Sequence, residues 1–411
     1  MGSDPSFIGP SSPVMGLSSL PMVLQTVRFP MLSPSSSADA AVIVGGGFAG
    51  LFTALALQNQ CPGCPIVLIE PRDRFLFQPL LYELLSDELQ CWEVAPRYAE
   101  LLSGTICWIQ DRVTRIDRST KTLTLASGEQ LSWSQLVLAT GSQSNDFGIP
   151  GVKEHSFGFR NLNDVSRLRQ RMDALRQQRP SDAGLIIVGA GPTGVELACK
   201  LADLLEGAAS LQLIERGEEI LPGSSAFNRE RAQAALEKRA VVVQCNTRVM
   251  NVTDTTATLS NNQKVIHGGL IWTAGSKPTI PTMTPESSLI NGRISVAEDL
   301  RMDCDASIFA LGDVSTSEHA SWPASAQVAM QQGEATGAAL AALRRNQSPT
   351  PFQFQDRGEM LSLGLGDATL TGMGITLAGP LAFQLRRATY LTRLPGSSLG
   401  LRSAGAWLLS R

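Results

Sequence analysis

Two glycine-rich turns in this 411-residue chain have the spacing of turns that bind nucleotide phosphates. The first follows the apolar run Ala-Val-Ile-Val and places Gly45, Gly47 and Gly50 ahead of a stretch with helical character. In such a turn the first glycine permits a tight bend, the second lets a pyrophosphate approach the backbone, and the third lets the helix pack on the strand. Twenty residues after Gly50, a second apolar run ends in Glu70, whose carboxylate can accept hydrogen bonds from ribose hydroxyls.

The same order of strand, glycine turn, helix and acid occurs a second time along the chain. An apolar run precedes Gly189, Gly191 and Gly194, and the next apolar run ends in Glu215 at a similar distance. If these glycine turns bound nothing, the same order of strand, turn, helix and acid would have to occur twice in the chain by coincidence. The sequence therefore predicts two bound dinucleotides, and an enzyme that holds two usually passes electrons between them.

Three further apolar strands end in glycine turns. They deliver Thr140 with Gly141, then Gly275, and later Gly312 with Asp313. The first two each close one nucleotide unit, and the third returns the chain to the first unit. We therefore predict an α/β protein with two Rossmann-like dinucleotide-binding domains, one inserted into the other.

This order of motifs resembles the two-dinucleotide-binding flavoprotein superfamily over about residues 40–345. The resemblance implies that the first fingerprint holds FAD and the second holds NADH, with NADPH possible. It also implies that Asp313 binds the ribityl-pyrophosphate region of the flavin.

Two segments resemble type II NAD(P)H:quinone oxidoreductases within that superfamily. Segment 77–83 contains Gln78 and Pro79, and segment 323–332 contains Ala326 and belongs to a predicted helix that begins near Ser321 and Pro323. The positive end of that helix would face the flavin ring where charge accumulates on reduction. The resemblance implies hydride transfer from NADH to FAD, followed by transfer of two electrons to a membrane quinone. The Gly-Glu-Met sequence at 358–360 and the low lysine content favour the cyanobacterial and plastid branch, with prenylated naphthoquinones such as demethylphylloquinone or a plastoquinone as acceptor.

Three side chains are candidates for the catalytic set. Gln327 and Gln331 lie four apart on one helix face, which in that family meets the isoalloxazine and the quinone. An ordinary solvated helix face is the alternative for these glutamines. Glu196 resembles the acid of the family near the nicotinamide, and its alternative is a helix-start acid that pairs with the helix dipole.

The acid of the second fingerprint bears on the choice of coenzyme. Glu215 would bind a ribose 2′-hydroxyl, whereas a 2′-phosphate beside it would be repelled by roughly 4 kcal/mol at 4 Å and intermediate dielectric. The sequence therefore favours NADH, and the neighbouring Arg216 keeps NADPH possible.

The C-terminal end differs from the rest of the chain. Residues 368–385 carry no charge, but their glycines, proline and threonines favour two short strands around a glycine turn over a membrane span. Five arginines and no acid follow, interleaved with apolar and aromatic residues, at positions Arg386, Arg387, Arg393, Arg402 and Arg411. This pattern is typical of a segment on a membrane surface. The alternative is a helix packed on the core of the protein or on a second subunit of a homodimer.

The predicted organisation has five parts: a disordered tail at 1–38, the FAD-binding domain at 39–150 and 286–345, the NAD(P)H-binding domain at 151–285, and a C-terminal membrane-associating module at 346–411. We expect a peripheral protein on the cytoplasmic face of a membrane, with a plastid or mitochondrion as the alternative location.

Composition excludes several classes of protein. A net charge of −3 provides no basic field for nucleic acid. Three histidines and seven irregularly spaced cysteines predict no metal site and a reducing compartment. Cys61-Pro-Gly-Cys64 has the spacing of a redox dithiol, with a surface turn as the alternative.

Three other functions compete with this interpretation. A disulfide reductase needs cysteines at the start of the first helix, and none follows Gly50 directly. A sulfide:quinone oxidoreductase needs cysteines beside the flavin, for which Cys199 and Cys304 are the candidates. A flavoprotein that binds NADH slowly and acts through partners is the third alternative.

Overall fold

The structure is a computed structural model that describes residues 28–29, 39–102, 104, 106–178 and 183–409. The predicted tail lies outside the described residues except for Arg28–Phe29, which form a short strand (β1) rather than unstructured chain. The elements of the first part follow in chain order: β1, β2 (Ala41–Val44), α1 (Phe48–Gln60), β3 (Ile66–Ile69), α2 (Leu81–Leu85), α3 (Cys91–Val94), α4 (Tyr98–Leu101), β4 (Ile106–Ile109), β5 (Val113–Asp117), β6 (Thr122–Leu125), β7 (Gln130–Ser132), β8 (Gln135–Leu138) and β9 (Ser142–Ser144).

The middle of the chain continues the alternation of strands and helices. Its elements are α5 (Val152–His155), β10 (Ser156–Phe157), α6 (Leu162–Gln178), β11 (Gly184–Val188), α7 (Pro192–Leu205), β12 (Leu211–Ile214), α8 (Ala226–Lys238), β13 (Val242–Gln244), β14 (Val249–Val252), β15 (Thr256–Leu259), β16 (Lys264–Trp272) and β17 (Ser276–Pro278).

The last part returns to the first sheet and ends in a separate small sheet with two helices. Its elements are β18 (Thr282–Thr284), β19 (Leu289–Ile290), β20 (Arg293–Ser295), β21 (Arg301–Met302), β22 (Asp305–Ala310), β23 (Ser315–Thr316), α9 (Ala326–Arg344), β24 (Glu359–Ser362), β25 (Ala368–Gly372), β26 (Ile375–Ala378), α10 (Pro380–Arg393) and α11 (Ser397–Leu409).

The first sheet has the strand order β1-β4-β3-β2-β8-β22-β21. Its central strands, from β4 to β22, are all parallel. Strands β2 and β3 are apolar and buried along their whole length, as expected for a parallel sheet covered on both faces. Because β2 lies between β3 and β8, and β8 pairs with β22, the carboxyl ends of these strands meet at one edge. The predicted α/β class is confirmed.

The second sheet repeats this arrangement with the order β13-β12-β11-β16-β15-β14. Strands β11, β12 and β16 are parallel neighbours, and β10 pairs with β16. Strands β9 and β17, which lie where the chain leaves and re-enters the first sheet, pair antiparallel with each other.

Helix α9 packs closely along α1. A Cβ at Gly333 would lie 2.4 Å from the carbonyl oxygen of Ala49, and one at Gly337 would lie 2.5 Å from the Cβ of Ala56. Only glycine permits this approach. The contact fixes the middle of α9 against the helix that follows the first fingerprint.

The C-terminal part contains the two strands predicted around a glycine turn. Met373 and Gly374 connect β25 to β26, both with positive φ (52° and 76°), as a type I′ hairpin turn requires. Ala368 on β25 packs with Ala382 and Phe383 of α10 in a small apolar cluster. Within the described part of the chain, no helix is both long and apolar enough to cross a membrane.

Candidate active site

The first fingerprint is shaped by three glycines with different surroundings. Gly45 has φ +100°, and a Cβ there would lie 2.3 Å from the carbonyl oxygen of Ala139 on the neighbouring strand connection. A Cβ on Gly50 would lie 1.8 Å from the carbonyl oxygen of Gly45. A Cβ on Gly47, at the N-cap of α1, would meet no atom of the described residues within 4 Å. The turn is therefore closed on the protein side and open at the helix N-terminus, where a phosphate group fits.

The second fingerprint has the same division of roles. Gly189 has φ +101° and lies against Ala274, while a Cβ on Gly194 would lie 1.8 Å from the carbonyl oxygen of Gly189. Gly191, the N-cap of α7, faces open space. Both turns therefore leave open space at the residue where sequence analysis placed a pyrophosphate.

The acids at the ends of β3 and β12 occupy equivalent positions. Glu70 accepts a hydrogen bond from the Gly46 N–H at 2.7 Å, and Glu215 accepts one from the Ala190 N–H at 2.7 Å. Each carboxylate thus touches the glycine turn of its own unit, where a nucleotide ribose would lie.

Glu70 is ionised more readily than an ordinary buried carboxyl. Burial alone would raise its pKa, but two side-chain hydrogen bonds from Arg72, the charge of Arg72 and the Gly46 N–H lower that pKa below its usual value. An ionised Glu70 is a strong acceptor for ribose hydroxyls.

Asp313 is held by a chain of polar groups that the sequence did not reveal. The Ser142 hydroxyl donates to the Asp313 carboxylate at 2.5 Å, and Arg160 donates from Nη2 to the Ser142 hydroxyl at 3.0 Å. Gly312, with φ +66°, donates its N–H to Oε1 of the buried Gln332 at 2.6 Å. Because these partners come from three other segments, no local motif could have identified them.

A cavity of about 300 Å³ adjoins Asp313 at the N-terminus of α9. Asp313, Gln332, Trp322 and Arg293 line it, together with Ser325. The Ser325 hydroxyl accepts the Val328 N–H at 3.2 Å and so caps the helix that begins at Ala326. The positive end of α9 is thereby directed at this cavity.

The strand ends beside the two fingerprints contribute turns rather than charged groups. Gly141 and Gly275 both have positive φ (67° and 69°), and the Thr140 hydroxyl donates to the carbonyl oxygen of Thr279. Gly275 faces the ring of Phe147, which a Cβ would approach to 2.4 Å.

Gln327 and Gln331 bind backbone in this structure. Gln331 exchanges two hydrogen bonds with Gln355, at 2.9 and 3.0 Å. Gln327 accepts the Arg357 N–H at 2.9 Å and lies 3.5 Å from the carbonyl oxygen of Gly358. The two amides fasten segment 355–358 to α9, and contact of these glutamines with a quinone stays a prediction.

Three charged side chains meet in a buried cluster below the turn Gln78–Leu80. Arg386, on α10, has no exposed surface and forms an ion pair with the buried Glu83 of α2. Its Nη2 donates to the carbonyl oxygen of Pro79 at 3.0 Å and lies 4.0 Å from the Glu196 carboxylate on α7. Assigning Arg386 to a membrane-facing surface was therefore wrong, because two acids from distant segments draw it into the interior.

The sequence profile of the family described as pyridine nucleotide-disulphide oxidoreductase matches residues 39–333. The chain belongs to this family. It is 38% identical to demethylphylloquinone reductase NdbB of Synechocystis sp., over 89% of this chain and 96% of that protein. It is 32% identical to the alternative NAD(P)H-ubiquinone oxidoreductase C1, chloroplastic/mitochondrial, of Arabidopsis thaliana, over 91% and 81% of the two chains.

One solved structure has the same fold as the present protein. NDH2 from Plasmodium falciparum, in complex with NADH, superposes with a TM-score of 0.80 at 18% identity, covering 89% of this chain and 96% of the other. The solved structure shows the shared fold, and the sequence relatives confirm the resemblance to type II NAD(P)H:quinone oxidoreductases inferred from the sequence.

The cysteines of this protein do not lie where a sulfide:quinone oxidoreductase or a disulfide reductase would need them. Cys199 is buried on α7, and burial raises the pKa of its thiol to about 12, so the nucleophilic thiolate is scarce at neutral pH. Cys304 lies exposed in the turn between β21 and β22. The bonded pair Cys61 and Cys64 lies beyond the C-terminal end of α1, whereas the first fingerprint lies at its N-terminal end. These positions disfavour both a sulfide:quinone oxidoreductase and a disulfide reductase.

Proposed function

We propose that this protein is an FAD-dependent NAD(P)H:quinone oxidoreductase. The observation that carries the proposal is the pair of glycine turns whose second glycines, Gly47 and Gly191, face open space at helix N-termini. The similarity to a demethylphylloquinone reductase and to a plastid or mitochondrial ubiquinone oxidoreductase supports it. Bound FAD would accept hydride from the nicotinamide and pass two electrons to the quinone. Purified protein should be yellow and should oxidise NADH when a soluble naphthoquinone or benzoquinone is added; a colourless protein that reconstitution with FAD does not change would contradict the proposal.

The residues divide between the two dinucleotides. Those proposed for FAD are Gly45, Gly47, Gly50, Glu70, Gln78, Pro79, Thr140, Gly141, Gly312, Asp313 and Ala326, and those proposed for NAD(P)H are Gly189, Gly191, Gly194, Glu215 and Gly275. This division corresponds to an FAD-binding domain at 39–150 and 286–345, with the NAD(P)H-binding domain at 151–285 between its parts. Gln327 and Gln331 are proposed to border the quinone, and a naphthoquinone is the acceptor that the NdbB similarity favours. A screen of both donors against benzoquinones and naphthoquinones tests the choice of acceptor.

Glu196 is proposed to supply a proton when the quinone is reduced. Burial raises the pKa of this carboxyl to about 7, although Arg386 and the Ser362 N–H at 2.7 Å oppose the shift. At this pKa the group is partly protonated at neutral pH, as an acid catalyst requires. Its position beside Arg386 also connects α7, which carries the second fingerprint, to the Gln78–Pro79 turn.

We expect quinone reduction to slow as the pH rises through about 7, because the protonated fraction of Glu196 falls about tenfold per pH unit above its pKa. Glu196→Gln should have a lower kcat and a flat pH profile between 6 and 8. Glu196 should also make stability depend on pH. Because burial raises its pKa, the folded state binds more protons than the unfolded state between about pH 4.5 and 7. The contribution of Glu196 to the free energy of unfolding therefore falls as the pH rises through that window. Glu218→Gln, at an exposed position, is the control; a wild-type kcat that does not vary with pH would remove Glu196 from this role.

Replacing Glu215 should widen the use of coenzymes. Its two oxygens accept N–H groups of Ala190 and Gly217, at 2.7 and 2.8 Å, and a 2′-phosphate near this carboxylate would be repelled. We expect Glu215→Ala to raise kcat/KM for NADPH about tenfold or more relative to NADH. Glu218→Ala, three residues along, should leave the ratio unchanged. A wild-type enzyme that already prefers NADPH would contradict this assignment.

The C-terminal part is proposed to rest on a membrane surface, at the cytoplasmic face or within a plastid or mitochondrion. Its large exposed apolar side chains among the described residues are Leu365, Met373, Ile375, Leu381, Leu385 and Leu401, with Leu401 74% and Leu381 61% exposed. Arg387 lies over the Trp407 ring at 4.3 Å, and Arg402 over the Trp92 ring at 4.9 Å. Aromatic rings and arginines beside exposed leucines are typical of segments that enter the interface of a bilayer.

Leu381→Glu with Leu401→Glu should weaken binding to vesicles of anionic lipid at least tenfold, because inserting one leucine contributes about 1.5–3 kcal/mol. Co-sedimentation with vesicles measures the effect. Leu289→Glu changes an exposed leucine on β19, outside the C-terminal part, and should have no effect. Unchanged sedimentation together with a dimer-to-monomer shift would assign this surface to a homodimer instead.

A further inference from the structure

Cys61 and Cys64 form a disulfide in the turn between α1 and β3. Their Cα atoms are 5.4 Å apart, and Pro62 and Gly63 between them are exposed. Helix α1 spans 13 residues, or about 20 Å, so the disulfide lies a full helix length from Gly47. The pair therefore lies at the opposite end of α1 from the first fingerprint.

The two cysteine residues differ in their exposure to solvent. Cys64 is 6% exposed, whereas Cys61 is only partly buried at the end of the helix. Thiol–disulfide exchange begins with attack of a thiolate on one sulfur, and access decides which sulfur is attacked. Cys61 is consequently the sulfur that an incoming thiolate reaches.

We propose that Cys61 and Cys64 are a thiol–disulfide exchange site for dithiol reductants, separate from the dinucleotide site. A reductant thiolate bonds to the sulfur of Cys61, the bond between Cys61 and Cys64 breaks, and Cys64 leaves as a thiolate that takes up a proton. The second thiol of the reductant then attacks the sulfur joined to Cys61, which releases Cys61 as a thiol. Two electrons and two protons pass to the pair, and the reductant becomes a disulfide.

Reduction has a structural consequence because of where the turn lies. The turn connects α1, which begins at the first fingerprint, to β3, which ends at Glu70. A disulfide stabilises mainly by restricting the unfolded chain, and the restriction is small for a short loop. The hydrogen bonds from Cys61 to Leu57 and from Cys64 to Cys61 do not involve the sulfurs and persist after reduction. We therefore expect the reduced protein to keep its fold and to release FAD on heating about 2 °C earlier.

Differential alkylation of the intact flavoprotein tests the proposal. In air-oxidised protein, iodoacetamide should label the exposed Cys91 and Cys304 but neither Cys61 nor Cys64; after dithiothreitol, Cys61 should be labelled under native conditions. The buried Cys107 and Cys199 report any unfolding, since they should stay unlabelled in both samples. Labelling of Cys61 before reduction, or its protection after reduction, would overturn the proposal.

Single variants identify the attacked sulfur. Cys64→Ser leaves Cys61 able to form a stable mixed disulfide with an aromatic disulfide probe, and Cys61→Ser, with its remaining thiol buried, should form one at least tenfold more slowly. Flavin fluorescence during heating should show the 2 °C shift on reduction in wild type and no shift in the double variant Cys61→Ser with Cys64→Ser. Equal probe reactivity of the two single variants would contradict attack at Cys61. None of these measurements depends on quinone reduction.

Discussion

Gly47→Ala should leave the protein folded while weakening FAD binding about ten- to hundredfold. Residue 47 has φ −67° and ψ −165°, which alanine adopts without strain, and the added methyl group would lie within 4 Å of no atom in the described part of the chain. The methyl group would instead occupy the space at the N-terminus of α1 through which a pyrophosphate reaches the backbone. Crowding of this kind costs roughly 1–3 kcal/mol, and each 1.4 kcal/mol is tenfold in affinity. Flavin absorbance per protein after gel filtration and titration of the apoprotein measure the loss.

The same substitution in the second turn should have a different result. Gly191→Ala changes a residue with φ −70° and equally open surroundings, so it should retain FAD and raise KM for NADH about tenfold or more. Gly223→Ala, at an exposed glycine without neighbours within 4 Å, is the matched control and should change neither property. Loss of FAD from Gly191→Ala with retention in Gly47→Ala would reverse the assignment of the two units.

Arg386→Met should lower the free energy of unfolding by about 3–5 kcal/mol at pH 8. The substitution leaves Glu83 and Glu196 in a buried site without the only cation that the structure places beside both of them among the described residues. Removing one partner of a buried ion pair is costly because the remaining charge loses its compensation. The loss should shrink below about pH 7, where Glu196 takes up a proton. Chemical denaturation at pH 6 and pH 8 measures both effects.

A double-mutant cycle separates charge from packing at this site. Glu83→Met combined with Arg386→Met removes both charges of the closest pair, and we expect most of the lost stability to return, because an apolar pair of similar volume substitutes well for a buried ion pair. Arg402→Met, at an exposed arginine of α11, should change stability by less than about 1 kcal/mol. A loss below 1 kcal/mol in Arg386→Met itself would show that the cluster is solvated.

The dinucleotide turns could be predicted because each is a local motif. Strand, glycine turn and helix follow one another without interruption, and the acid comes after the next strand, so the spacing in sequence is also the spacing in space. The different requirements of Gly45, Gly47 and Gly50 follow from that local geometry, and the sheet order agrees with it. The two strands around the C-terminal glycine turn were predictable for the same reason.

The sequence by itself thus determined the α/β class, both nucleotide turns and the family, while only the tertiary structure decided which polar side chains are buried. Arg386 and Glu83 are 303 residues apart, so their ion pair leaves no trace in local composition. On α9, helical spacing could not show that Gln332 is the glutamine that binds Gly312, while Gln327 and Gln331 fasten segment 355–358. The pKa of Glu196 likewise depends on groups from three other segments. The energy of a charge or an amide is set by the partners that surround it, and those partners come together only when the chain has folded.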